Sequence, residues 1–415
     1  MRLPRLVRLR QIFERPRVDD VGEAVRRELA RAGVASHVGR GDQVAVAVGS
    51  RGIANLPQIV AATVRGLRAA GGEPFVVPAM GSHGGATAGG QARTLAHLGV
   101  SSASVGVPVR SAVETVVVGE TEDGVPVHLD QAAVEADGLV AVNRVKPHTV
   151  LGGLLQSGIA KMLLIGLGNP HGARCYHRAF ADHGVDRVVH TALPLVLRRV
   201  RLLCGLALVE NAYQETARVA AVRPQALLER ERELLDEARR LMPRLPFGRC
   251  HLLVMDWLGK DVSGSGLDTN VAGRGRPGPE CRRIFARDLT PASEGNGIGV
   301  GLVEFTTRRL VDRIDPRATF ANCSTSLSLR SGAVPFAFES DREAVEAALD
   351  TIGLTPPHEA RVIWIRDTAT LGEVEVSEAL SQQAAERQDL EVLGEPHDWP
   401  FDDRGNLLSP FPPRC

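Results

Sequence analysis

The sequence predicts an α/β protein of two α/β domains with mainly parallel sheets and an active-site cleft expected between them. Three observations lead there. At 415 residues the chain exceeds what one ordinary hydrophobic core organises, so two domains are expected. Its first half alternates buried strand-like runs with helix-spaced apolar residues, the mark of a parallel sheet flanked by helices. After a long amphipathic helix the alternation starts again, which sets the domains at 1–245 and 246–415.

Gln43 to Gly49 reads as a buried strand, followed by helix-spaced apolar residues over Leu56 to Ala70, a Gly71-Gly72 stop and a strand over Pro74 to Pro78. Further buried strands are expected at Thr115–Val118, Gly138–Val142 and Gly205–Val209. Pro224 to Met242 is the clearest helix, with Pro224 in its first turn and a leucine stripe amid alternating Glu and Arg. Pro243 and Pro246 end it, and His251–Met255 opens the second pattern. There, Gly264 to Pro279 reads as a long loop, Leu302–Ile314 and Arg342–Ile352 as helices, and Arg361–Arg366 as a strand. The proline-rich tail from Asp398 to Cys415 reads as irregular and surface-bound.

Composition narrows the function classes. Lys plus Arg and Asp plus Glu number 49 each, so the formal net charge is zero and no basic excess suggests nucleic acid as a partner. No run reaches the ~18–20 apolar residues of a membrane span. The basic N-terminus lacks the apolar stretch of a signal peptide, and six dispersed cysteines without a Cys-x-x-Cys pair suit reduced thiols in the cytoplasm.

Four segments gather polar residues at strand ends, where open parallel sheets bind ligands. In Val48-Gly49-Ser50-Arg51-Gly52, Arg51 either clamps a carboxylate or phosphate or is a surface Arg of a βα loop. In Gly81-Ser82-His83-Gly84-Gly85-Ala86-Thr87, glycines admit a ligand close to the backbone and the following helix offers N–H groups to an anion. His83 there is an acid or base candidate, or a histidine that merely bonds its turn. Asn143 to Thr149 holds His148, and Gln156 to Gly168 holds Lys161 inside an apolar run. Burial depresses a lysine pKa by up to ~3–5 units and yields a nucleophilic amine; otherwise the head of such a lysine snorkels to water. His171, His177 and His183 do not fit a zinc His-x-x-x-His pair, though one could be a lone protein ligand to a metal held mainly by a cofactor. Gly166, Gly168 and Gly172 have the wrong spacing for a dinucleotide fingerprint. In the second half, Lys260 lies in the small polar loop Gly259 to Asn270.

Taken together, Gly81 to Thr87, Lys146-Pro147-His148-Thr149, Ser157 to Met162 and Lys260-Asp261-Val262-Ser263-Gly264 resemble the lactate racemase family, the nickel-pincer-nucleotide-dependent 2-hydroxyacid racemases and epimerases. The chain looks like a divergent homologue over most of its length. The resemblance implies an isomerase that inverts C2 of a 2-hydroxy acid by reversible hydride transfer, which avoids a carbanion beside the carboxylate. It implies His83 and His148 as the catalytic pair, Lys161 as the thioamide anchor of the nickel-pincer nucleotide, His177 as the protein ligand to nickel, and Arg51 and Lys260 as contacts to the substrate carboxylate. It further implies cofactor-maturation proteins as partners, and is compatible with a homodimer; protein purified without those partners is expected to lack the cofactor. The loop from His148 to Lys161 and the surroundings of Arg51 and Lys260 depart from the family pattern, so the substrate side chain is left open. Rival readings are a Schiff-base enzyme acting on a keto acid through Lys161, a non-catalytic nucleotide- or acid-binding relative, and a zinc hydrolase, which lacks a paired ligand motif.

Overall fold

The computed structural model describes residues 1–274 and 278–413. The chain divides into two compact units, one of Arg15–Met242 and one that joins Met1–Glu14 to Pro243–Cys415, so residues 1–14 count with the C-terminal half and not with the rest of 1–245.

The Arg15–Met242 unit is built on a five-stranded sheet. In spatial order its strands are Glu73–Pro78, Gln43–Val48, Gly138–Arg144, Leu202–Glu210 and Thr216–Val222. The first four run parallel and the last antiparallel. Side-chain alternation builds two cores from one sheet. Ala45, Ala47, Val77, Leu139 and Ala141 face one way, against helices Asn169–His183, Val185–Arg199 and Leu227–Leu241. Val44, Val46, Val48, Val140 and Val142 face the other, against helices Val21–Ala32 and Leu56–Ala69. Burial on both faces is why these strands read as continuous apolar runs. The expected strand at Thr115–Val118 spans Thr115–Glu120, but it is not a buried sheet strand: it pairs only with Pro126–Asp130 in a half-exposed hairpin.

The second unit holds an eight-stranded sheet. Phe336–Phe338, Phe305–Thr307, Glu280–Leu289, Arg249–Leu258 and Val362–Ile365 run parallel, and Glu373–Ser377, Leu6–Gln11 and Leu390–Val392 extend it antiparallel. Sequence expectation differs from the structure here in two places. Leu302–Ile314 is not one helix: Phe305–Thr307 is a strand second from the edge of the sheet, and the Thr307 hydroxyl caps the short helix Arg308–Asp312 by accepting from the Leu310 N–H. The tail is irregular but not surface-bound, because Trp399, Leu407 and Phe411 are buried and join the core around Trp364. Of the expected Gly264–Pro279 loop, residues 275–277 lie outside the described residues, as does Cys415; the five described cysteines form no disulfide. Among the described residues no helix is long and apolar enough to cross a membrane.

Candidate active site

Three adjacent parallel strands end at one edge of the five-stranded sheet, and each delivers one of the residues singled out in the sequence. Arg51 follows Gln43–Val48, His83 follows Glu73–Pro78, and His148 follows Gly138–Arg144. The strand Gln43–Val48 has its sequential successor on one side and Gly138–Arg144 on the other. That reversal of strand order is the topological switch point at which open sheets form a crevice.

The His83 turn is held by backbone packing. Gly81, Gly84 and Gly85 all have positive φ, and a Cβ on Gly84 would lie 2.6 Å from the Gln91 nitrogen, so the turn sits directly on the helix Ala88–His97. The Gln91 side chain donates to the Gly81 carbonyl at 3.1 Å. That helix does not present a bare N-terminus, because the Thr87 hydroxyl accepts from the Gly90 N–H. The Gly81 N–H donates to the Gly166 carbonyl at 3.0 Å, which ties the His83 turn to the segment carrying Lys161.

His148 sits in a loop closed by a pair of backbone bonds between Lys146 and Ser157. Its N–H donates to the Gln156 side chain at 2.6 Å, and its ring Nδ1 accepts from the N–H groups of Val150 (3.0 Å) and Leu151 (2.8 Å). On the other ring, His83 Nδ1 contacts the Ser50 hydroxyl, and an Arg51 Nη2 donor lies 3.4 Å from His83 Nε2.

Lys161 ends the helical turn Ile159–Lys161, and a π-helical turn, Met162–Gly166, follows at once. Such wide turns recur at functional sites. The Glu231 carboxylate, from helix Leu227–Leu241, accepts the N–H groups of both Ile159 and Ala160, and Asn143 donates to the Gly158 carbonyl at 2.7 Å. A Cβ at Gly158 would lie 2.1 Å from Glu231 Oε1, so only glycine leaves room for this cap. Sequence reasoning missed Glu231, Ser50 and Asn143. Glu231 lies on a Glu/Arg-rich helix that reads as a solvated face, and no local pattern connects it to a lysine seventy residues earlier.

Electrostatic coupling links Arg51, Lys161, His148 and His177. Burial, then the charge of Arg51, lowers the Lys161 ammonium to about 7. Burial, then the charge of Lys161, brings His177 to about 4. Burial holds His148 well below the ordinary imidazole range, with Lys161, His177 and Arg51 adding to the effect. Arg51 falls to about 10 through burial and the neighbouring Arg144, which is itself paired with Glu210. Burial raises Glu231 to about 7 against the two N–H bonds it accepts. The site is therefore a cluster of cationic groups and neutral imidazoles, suited to an anionic ligand.

Of the three neighbouring histidines, His177 is the one coupled to Lys161 and His148. His171 stacks on His128 at 6.4 Å between ring centroids and, with His183, lines a separate surface cleft of about 390 Å³. Lys260 belongs to the other unit, where its Nζ donates to the Gly264 carbonyl and to Asn322 Oδ1, both at 2.7 Å. Among the described residues no three His, Cys, Asp or Glu are grouped so as to hold a metal ion by themselves.

Residues 7–187 match the model of the lactate racemase N-terminal domain. A solved protein from Thermotoga maritima is similar in structure at a TM-score of 0.51 and 15% identity, over 83% of this chain and 96% of that one, which supports the fold. The lactate racemase apoprotein from Thermoanaerobacterium thermosaccharolyticum gives a TM-score of 0.49 at 15% identity, over 90% of each chain. No curated protein matches the chain.

Proposed function

We propose, for a chain whose residues 7–187 match the lactate racemase N-terminal domain, that it inverts the C2 centre of a small 2-hydroxy acid with a nickel-pincer nucleotide tethered to Lys161. One observation carries this reading: an amine lowered to about 7 lies in the electrostatic field of Arg51 and lowers His148 and His177 in turn. At neutral pH a large share of Lys161 is the free amine that a covalent tether requires. His177 is neutral at that pH and so offers an imidazole lone pair to a metal. The Lys161 amine and the His177 imidazole are the residues that would hold a nickel-pincer nucleotide, the amine as its tether and the imidazole as one ligand to its metal. When bound, that group supplies a hydride acceptor beside a metal.

The chain's own residues then do the rest. Arg51 holds the substrate carboxylate through its guanidinium fork, a charge-assisted contact strengthened by the burial of that side chain. His83 and His148 address the substrate hydroxyl, each positioned acid, base or donor being worth ~10²–10⁴-fold in rate. The test is a chiral screen of 2-hydroxy acids deuterated at C2, using protein produced with the cofactor-synthesis proteins. Inversion with the deuterium retained is expected; washout of label into water would contradict the reading. The lowered amine equally suits a Schiff base with a keto acid, and borohydride trapping of substrate on Lys161 would select that alternative.

A further inference from the structure

We infer that the cleft between helix Asn169–His183 and the hairpin of residues 115–130 is a second binding site, which takes a small dianion, a phosphate ester or a dicarboxylate, between Arg174 and Arg178. Nothing in it rests on the hydroxy acid reading above.

The cleft is preformed. Glycine lets the helix lie against the hairpin: a Cβ on Gly172 would come within 3.1 Å of the His128 Cβ. The Tyr176 hydroxyl donates to the His128 carbonyl at 3.4 Å, and the Cys175 thiol to the Pro126 carbonyl at 3.7 Å. At its tip the hairpin closes on itself. There the Gly124 N–H donates to the Thr121 carbonyl at 2.9 Å, and the Val125 N–H to the Thr121 hydroxyl at 3.1 Å. The space between these walls, about 390 Å³, falls in the range of small-molecule sites, ~300–1,000 Å³.

Charge selects the ligand. Positions 171, 174, 175, 178 and 182 share one face of the helix, so successive turns bring His171, Arg174, Arg178 and Asp182 to the cleft in that order. Arg174 and Arg178 stand one turn apart, and neither makes a hydrogen bond or an ion pair with any described residue. The carboxylate that the hairpin tip brings is already engaged: Asp123 binds Arg187 through two bonds of 2.6 Å. Asp182 lies one turn beyond Arg178 without bonding it, so the excess positive charge sits toward His171. A guanidinium fork takes a carboxylate or phosphate through paired N–H donors, and two forks one turn apart match one dianion better than a monocarboxylate. A phosphate monoester carries nearly two negative charges above pH ~6. His171, stacked on His128 at 6.4 Å between ring centroids, adds a ring N–H at that end.

Isothermal titration of the full-length protein at pH 7.5 and low salt tests this, with inorganic phosphate, glycerol 3-phosphate, succinate and acetate as probes. One equivalent of a dianion should bind with Kd at or below ~1 mM, and Arg174→Gln with Arg178→Gln should weaken it at least ~10-fold without moving the thermal midpoint. Whether the phosphates or succinate bind tells the ester from the dicarboxylate. Alkylation of Cys175 by iodoacetamide, read by peptide mass spectrometry, should slow several-fold under the bound dianion. That measurement is made on wild type and does not depend on how the double variant folds. Arg51→Gln should leave the affinity unchanged. No saturable binding, acetate bound as tightly as the dianions, full affinity in the double variant, an unprotected Cys175, or loss of affinity in Arg51→Gln would each overturn the inference. None of these probes needs the cofactor. A protein that binds a dianion here and has no racemase activity would therefore defeat the functional reading and leave this site standing.

Discussion

Lys161 shows what a single residue discloses in a sequence and what it conceals. A charge inside an apolar run is costly unless neutralised, and that cost made the position stand out. Whether its head reached water depended on residues far away in the chain, which no local spacing reveals. In the fold its pKa is lowered to about 7 by burial and by the charge of Arg51. The sign of its effect on stability follows. Lowering the folded pKa from 10.5 to about 7 means the unfolded chain binds more protons between those values, so stability rises with pH across that window. Lys161→Met should abolish this rise and stabilise the protein at pH 7 by about 1–3 kcal/mol, as measured by urea denaturation. A loss of stability would mean that the ammonium is well paired. Ser50 was beyond reach for another reason: a serine beside an arginine signals nothing until the fold lays a histidine against it.

Among elements, the segment Ile159–Gly166 depends most on a distant partner. Its first turn is too short to be a stable helix alone, and the Glu231 carboxylate supplies the missing cap. Glu231→Ala should cost about 1–2 kcal/mol, the usual worth of an N-terminal cap, and loosen the backbone under Lys161. The acid's folded pKa is raised from 4.5 to about 7, so its contribution is full below pH ~4.5 and is lost as pH rises through about 7. Glu231→Gln should flatten that decline in a series of denaturation curves; an unchanged profile would remove Glu231 as its source. The strands that lead to the site were legible because both their faces are buried and their patterns are continuous. The strand Leu6–Gln11 was not: its alternating arginines read as a basic terminus, and the glutamates that pair with them, Glu373 and Glu391, lie more than 360 residues on. Phe305–Thr307 was hidden by its brevity and by the helix that Thr307 starts.

For the whole molecule, division of the chain does not follow the sequence order. The strand Leu6–Gln11 lies between Glu373–Ser377 and Leu390–Val392 in the eight-stranded sheet, so the first residues complete the C-terminal unit. Deleting Met1–Glu14 should lower the thermal midpoint of that unit while Arg15–Met242 keeps its own transition, as read by calorimetry; equal loss in both would argue against separate units. The tail is fixed to the same unit through buried charges: Arg287 bonds Asp256, Asp341 and the Leu407 carbonyl, and Ser409 bonds Asp256. Such anchoring is invisible in a proline-rich sequence, because its partners lie far away in the chain: the Pro410 carbonyl accepts from Arg8, 402 residues earlier. The proposed chemistry, by contrast, lies in the Arg15–Met242 unit, with the proposed tether at Lys161 at its centre. Intact and peptide mass spectrometry of protein produced with the cofactor-synthesis proteins tests it most directly. The account predicts a nickel-pincer nucleotide adduct that maps to Lys161 and is absent from Lys161→Ala; an unmodified wild type, or an adduct on another residue, would contradict it.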